Sequence, residues 1–264
     1  MVLLTTGVEL LQERGLLGGA AHITLNEVFT AVAERRGERI TPASVYQRIW
    51  PTQADFQADL LIAAAAFYPD GEEQPTLDAA REVVRAADYS TLDGRLAALR
   101  EVCRVAGDVH VRVLEASRAW QIWVGVWALT VSTPTDEDDR VLGPALLAGH
   151  EKATEALRLV FDEILGALGF RPRAPLTLEH LALTIGALAE GMALRDRFAA
   201  VAVVAAAATA ANPATAANPA TPANPANPVA VPPDSRDWTL FGIAVDALVL
   251  RFVEPVDGWT TTSH

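Results

Sequence analysis

Between Thr41 and Gln53 the chain carries side chains suited to reading nucleic acid, set at the spacing of one helix face. Thr41, Ser44, Gln47 and Arg48 recur at steps of three and four, which keeps them on a common side of a helix. Arginine can pair with guanine through two hydrogen bonds and glutamine with adenine, each worth roughly 1–3 kcal/mol of discrimination between bases. Tyr46 is placed toward phosphate, and Arg36 and Arg39, just upstream, can add phosphate contacts. Thr52 opens a further helix whose N-terminus can hold a backbone phosphate, and Pro42, Ala43 and Gln53 complete the candidate surface. The plainer reading of the same residues is a structural helix pair with a solvated arginine face.

No other constellation carries as much chemistry. The five histidines, at 22, 110, 150, 180 and 264, include no pair at metal-ligand spacing, and the lone Cys103 cannot complete a structural zinc site. Asp136-Glu137-Asp138-Asp139 reads as a solvated loop, and Gly18-Gly19 lacks the Lys-Ser/Thr of a phosphate loop. Ser117 and Cys103 have no histidine and acid at recognisable spacing. No catalytic residue, metal or cofactor is expected, and the chain is not expected to be an enzyme.

Three helix starts within Ile23–Leu61 position the candidate surface. Thr24 with Glu27 three residues on makes a capping box, and Val28, Ala31 and Val32 follow at helical spacing. Gly37 stands where a helix end takes a left-handed residue. Thr41-Pro42 opens a second helix, with Pro at the first position, where its missing N–H costs nothing. Trp50-Pro51 stops it, because the residue before a proline is pushed out of the helical region. Thr52 then caps a third helix, with Asp55 in the capping-box position. A middle helix of only about two turns, held by its neighbours, is the plan of a helix-turn-helix reader.

The run Thr41-Pro42-Ala43-Ser44-Val45-Tyr46, followed by Gln47-Arg48-Ile49-Trp50-Pro51-Thr52-Gln53, resembles the recognition-helix signature of TetR-family transcriptional regulators, roughly Ser-x-Gly-Thr-Leu-Tyr-x-x-Phe-x-Ser-Lys. The resemblance is specific from Thr24 to about Leu61 and looser over the remaining chain. The turn Gly37-Glu38-Arg39-Ile40 is longer than the family norm, an extra residue separates Tyr46 from Trp50-Pro51, and Gln53 stands where Lys is usual. The resemblance implies an all-helical ligand-binding and dimerisation domain after the reading head.

The charge is unusual for a DNA binder: the net is -12 over 264 residues. Within Arg35–Arg48, however, four arginines face one glutamate, so positive charge is local to the turn and second helix. An acidic body suppresses non-specific DNA binding and argues against an anionic membrane surface. The single cysteine excludes an internal disulfide and fits a reducing cytoplasm. Met1-Val2-Leu3-Leu4 lacks the charged start of a signal peptide, and the longest apolar run, Phe198–Ala208, is too short to span a membrane.

The expected fold is all-α. Residues 1–51 form a three-helix reading head, 52–68 a connecting helix, and 69–264 a C-terminal helical bundle. Within the bundle, helices are expected over Thr76–Ala87, from Thr91 or Asp93, along a stripe from Val109 to Val131, over Leu146–Leu168, from Leu178 to about Arg197, and over Trp238–Val253. The Ala/Asn/Pro-rich segment, about 209–235, repeats Ala-Asn-Pro and reads as an extended loop, and the Ala/Val run before it is expected to prolong the preceding helix by a few turns. Trp120, Trp123 and Trp127, with Phe161 and Met192, can line an apolar ligand cavity or plain core; Cys103, His110 and His150 are further candidates. The last helix is apolar all round, so Leu181, Ile185 and Leu188 with Phe241, Val245, Leu248 and Phe252 are expected to form a two-fold dimer interface. The expected function is a dimeric transcriptional regulator, a repressor of a palindromic double-stranded DNA operator, released by a small apolar effector. The alternative is a helical interaction or ligand-binding protein that no longer reads DNA.

Overall fold

Thr24 caps a helix because its hydroxyl accepts the Glu27 amide while the Glu27 carboxylate takes the amide and hydroxyl of Thr24, each at 2.9 Å. The same reciprocal box recurs at Thr52 and Asp55, and Gly37 ends the first of these helices at a left-handed φ of 69°. The computed structural model describes residues 2–15, 23–132, 136–211 and 238–259. Among them the chain is almost wholly helical: α1 Val2–Arg14, α2 Leu25–Arg36, α3 Pro42–Arg48, α4 Gln53–Ala65, α5 Gln74–Arg85, α6 Leu92–Ala116, α7 Arg118–Ser132, α8 Asp136–Leu168, α9 Leu178–Ala211 and α10 Leu240–Phe252. Two short strands, β1 (Phe170–Pro172) and β2 (Val253–Pro255), pair antiparallel. The chain is therefore all-α but for this ribbon. The Ala-Asn-Pro repeats, Gly18-Gly19, His22 and His264 lie outside the described residues.

Two compact units divide the chain: Met1–Glu72 with Ala116–Ala156, and Glu73–Glu115 with Leu157–His264. In the first, Leu11, Leu25, Val28, Val32, Phe56 and Leu60 of α1, α2 and α4 are almost fully buried, each worth roughly 1.5–3 kcal/mol over exposure. Ile122 and Val126 of α7 and Ala145 and Leu146 of α8 belong to the same core. Residues beyond the expected boundaries at 51 and 68 thus complete the N-terminal unit. Periodicity marks an apolar face but does not name the face it meets.

The second unit packs α5, most of α6, the later part of α8, α9 and α10 around Leu99, Leu165, Leu168, Leu181 and Ile185. Arg95 closes the end of α8: its Nη1 donates to the carbonyls of Leu168 (3.3 Å) and Gly169 (3.2 Å), and its guanidinium lies 4.8 Å over Trp259 and 5.7 Å over Phe170.

Three expectations about elements change, and a fourth, the prolongation of α9 by the Ala/Val run, holds. The apolar stripe Val109–Val131 is broken at Ser117, whose Oγ accepts the Trp120 amide at 3.1 Å and so starts α7. Asp136–Asp139 is not a loop but the first turn of α8. The Ala/Val run extends α9 to Ala211, as alanine's helix propensity allows. The last helix stops at Phe252 because Val253–Pro255 leaves to pair with β1. Among the described residues no helix is long and apolar enough to cross a membrane.

Candidate nucleic-acid interface

Three apolar anchors hold the short α3. Val45 is buried at 4% exposure, Tyr46 meets Phe29 edge-on at 6.4 Å, and Trp50 meets Phe56 edge-on at 5.1 Å while its Nε1 donates to Asp59 at 2.7 Å. Anchoring from one side leaves Thr41, Pro42, Ala43, Ser44, Gln47 and Arg48 exposed. The Ser44 hydroxyl donates to the Thr41 carbonyl at 2.7 Å and tightens the first turn. Thr41 is the N-cap residue by backbone position, without a side-chain cap bond. Half-buried Tyr46 spends its ring on Phe29 rather than standing clear toward phosphate.

The positive patch read from sequence is smaller in three dimensions. Arg36 pairs with Glu9 at 3.0 Å, and Arg35 with Glu13 at 2.9 Å and Glu9 at 3.6 Å. These α1 carboxylates, more than twenty residues away in sequence, neutralise two of the four arginines. Arg39 and Arg48 have no ion-pair partner among the described residues. Glu27 likewise takes Arg14 at 2.9 Å. Its carboxyl is held down to about 2, first by the Thr24 amide, then by the Thr24 hydroxyl and Arg14.

Two predicted phosphate contacts are corrected. Gln53 is not a surface donor. Its Oε1 accepts the Leu25 amide at 3.0 Å and its Nε2 donates to the Ile23 carbonyl at 2.9 Å, so both ends of the amide clamp the start of α2. Thr52 donates its amide and hydroxyl to Asp55 at 2.9 and 2.7 Å. The Asp55 carboxylate thus already occupies the helix start that was expected to receive phosphate, and its charge repels one. The surface that the geometry leaves for nucleic acid is Arg39, Thr41, Pro42, Ala43, Ser44, Gln47 and Arg48.

No family model matches the chain, and neither the curated proteins nor the solved structures contain a match to it.

The expected ligand residues separate into three places. Trp120, Trp123, Trp127 and His150 belong to the first unit. There Trp123 stacks on Trp127 at 6.5 Å and on His150 at 6.1 Å, and its Nε1 donates to the Leu146 carbonyl at 3.2 Å. Cys103, His110 and Phe161 instead line a cavity of about 50 Å³ inside the second unit. Met192 lines a groove of about 450 Å³ with Asp108, Arg112 and Glu115. Burial pushes the Cys103 thiol far above its usual range, so it packs as an apolar residue and not as a nucleophile. His110 Nδ1 donates to Glu73 at 3.0 Å. Thr76, read from sequence only as a helix start, is the polar wall residue that was missed; nothing in its local sequence signals a buried hydroxyl.

The expected dimer residues are also redistributed. Leu181, Ile185, Phe241 and Val245 are spent on their own core, at 0–4% exposure, so they cannot meet a second copy. Leu188, Leu248 and Phe252 are half-buried against the same core. The helix α10 buries one face, Phe241, Gly242, Val245 and Val249, in its own unit, while Ala247 on another face stays exposed. Exposed apolar residues include Leu183 and Phe198 on α9, Leu159 on α8 and Leu240 on α10, at 45%, 69%, 52% and 47%.

Proposed function

We propose that the chain is a DNA-binding transcriptional regulator that works as a dimer. One observation carries this reading: a short helix is anchored by Val45 and its neighbours Tyr46 and Trp50, and it turns Thr41, Ser44, Gln47 and Arg48 outward together. A seven-residue helix with one exposed polar face has no use for that face in its own core and has the size to enter a major groove. Arg48 and Gln47 read base edges, and Arg39 holds phosphate. Dimerisation doubles a weak head. The α9 stripe of Leu183, Ala187, Gly191 and Phe198, exposed and small enough in its middle for close helix approach, supports a second copy there. Fluorescence anisotropy on the chain's own upstream DNA, titrated with salt, tests the proposal. Specific binding that weakens steeply with salt and is lost in Arg48→Ala is expected. Binding indifferent to Arg48→Ala overturns the role given to that residue.

A second reading, a helical interaction module that no longer reads DNA, is favoured by the tethering of Arg35 and Arg36 to α1 and by Asp55 at the start of α4. Under it, anisotropy stays flat at all salt concentrations.

A further inference from the structure

The second unit holds a cavity whose lining residues are apolar but for three, Cys103, His110 and Thr76. Thr76 is 4% exposed, and its Oγ1 has no hydrogen-bond partner among the described residues. A buried hydroxyl without a partner is costly, and native interiors almost always satisfy it. His110 is 6% exposed and fixed through Nδ1 by Glu73. No arginine or lysine lines the space, so an anionic ligand would be buried without a counter-charge. The volume, about 50 Å³, is well below the roughly 150 Å³ that holds a benzene ring in an engineered apolar cavity of another protein.

Phe241 supplies the missing room. Its ring lines both this cavity and the outer groove of about 450 Å³. It lies 6.4 Å from the His110 ring and against Gly107, where a Cβ would stand 3.4 Å from it. A ligand that displaced the ring would join the two spaces and gain the volume of one ring. We infer that the cavity binds a neutral, ring-sized molecule carrying one hydroxyl, which takes the place of the Phe241 ring and satisfies Thr76. This deepens the effector half of the regulator reading.

Phenol and benzene, identical in shape but for the hydroxyl, are the probes. Their binding to the full chain is measured by calorimetry and thermal shift without DNA, so that failure here leaves DNA reading untouched and failure of DNA binding leaves the cavity untouched. Phenol is expected to bind about three- to tenfold more tightly than benzene, the range of one net hydrogen bond. Thr76→Val, which keeps the shape and removes the hydroxyl, is expected to erase that preference. Phe241→Leu, and Phe241→Ala if it folds, are expected to tighten both probes. Absence of binding in the unsubstituted chain and in Phe241→Leu overturns the site. Equal affinity for the two probes, or a phenol preference that survives Thr76→Val, overturns the role of Thr76.

Discussion

Replacing Gln53 by alanine removes two hydrogen bonds at once, and both end on backbone groups that water does not reach. Ile23 and Leu25 are 1% and 0% exposed, and their carbonyl and amide are held by the two ends of one side-chain amide. A net hydrogen bond contributes about 0.5–1.5 kcal/mol, and an orphaned buried group costs about 1–3 kcal/mol. Gln53 itself is half-buried, so water entering the vacated space recovers part of this. The expected loss is about 2–3 kcal/mol, a large share of a total stability of about 5–15 kcal/mol. Gln53→Lys is the sharper variant. Lysine donates to Ile23 but cannot accept from Leu25, so about 1–2 kcal/mol is lost. The family resemblance alone leads to the opposite expectation, a gain of one phosphate contact with no cost in stability. Urea unfolding, with amide exchange followed over Leu25–Arg36, separates the two. A Gln53→Ala protein within about 0.5 kcal/mol of the unsubstituted chain, with unchanged exchange in α2, refutes the clamp; that margin is the usual reach of a surface substitution.

Other outcomes follow from the same geometry. If Arg39 alone holds phosphate while Arg48 reads base, a dimer neutralises two phosphates and log K against log salt has a slope of about −2; a slope of about −5 would mean that Arg35 and Arg36 leave α1 to join it. Arg48→Ala is expected to weaken specific binding by about 1–3 kcal/mol, read by anisotropy at fixed salt. Thr76→Val replaces an unsatisfied hydroxyl with a methyl, and unfolding of the second unit is expected to cost about 1 kcal/mol more. Glu27, depressed to about 2 from 4.5, contributes its full stabilisation above pH 4.5 and loses it as pH falls toward 2. Acid titration of the unsubstituted chain beside Glu27→Gln therefore shows the gap between them closing over that window; parallel curves would contradict the assignment.

What could be read along the chain was what is made locally. Thr24 with Glu27, Gly37, and Thr52 with Asp55 are each complete within four residues, and each stands where its spacing placed it. The exposed face of α3 was legible for the same reason. The partners of Arg35, Arg36 and Gln53 were not, because each closes across more than twenty residues and a side chain's type does not reveal whether it is already engaged. The tryptophans misled by sharing one stripe. Ser117 breaks that stripe, and α6 and α7 then serve different cores. The apolar faces of α10 required burial on all sides, and the structure buries one of them, with Phe241, Val245 and Val249 turned into its own core and Ala247 exposed; hydrophobicity marks the faces but does not name what meets each.

The first unit takes its core from two stretches of sequence, with Ile122, Val126, Ala145 and Leu146 packed beside residues from the beginning of the chain. On a ribosome the helices around α3 are therefore made early and finished late. Residues up to Ala156 must emerge before α1, α2 and α4 are fully covered, which at about 5–20 residues per second is a wait on the order of ten seconds after Glu72. In that interval Leu60 and its neighbours stand partly bare, and the nascent chain is at its most exposed to chaperones and to proteases. A fragment cut after Glu72 would carry that unfinished surface permanently.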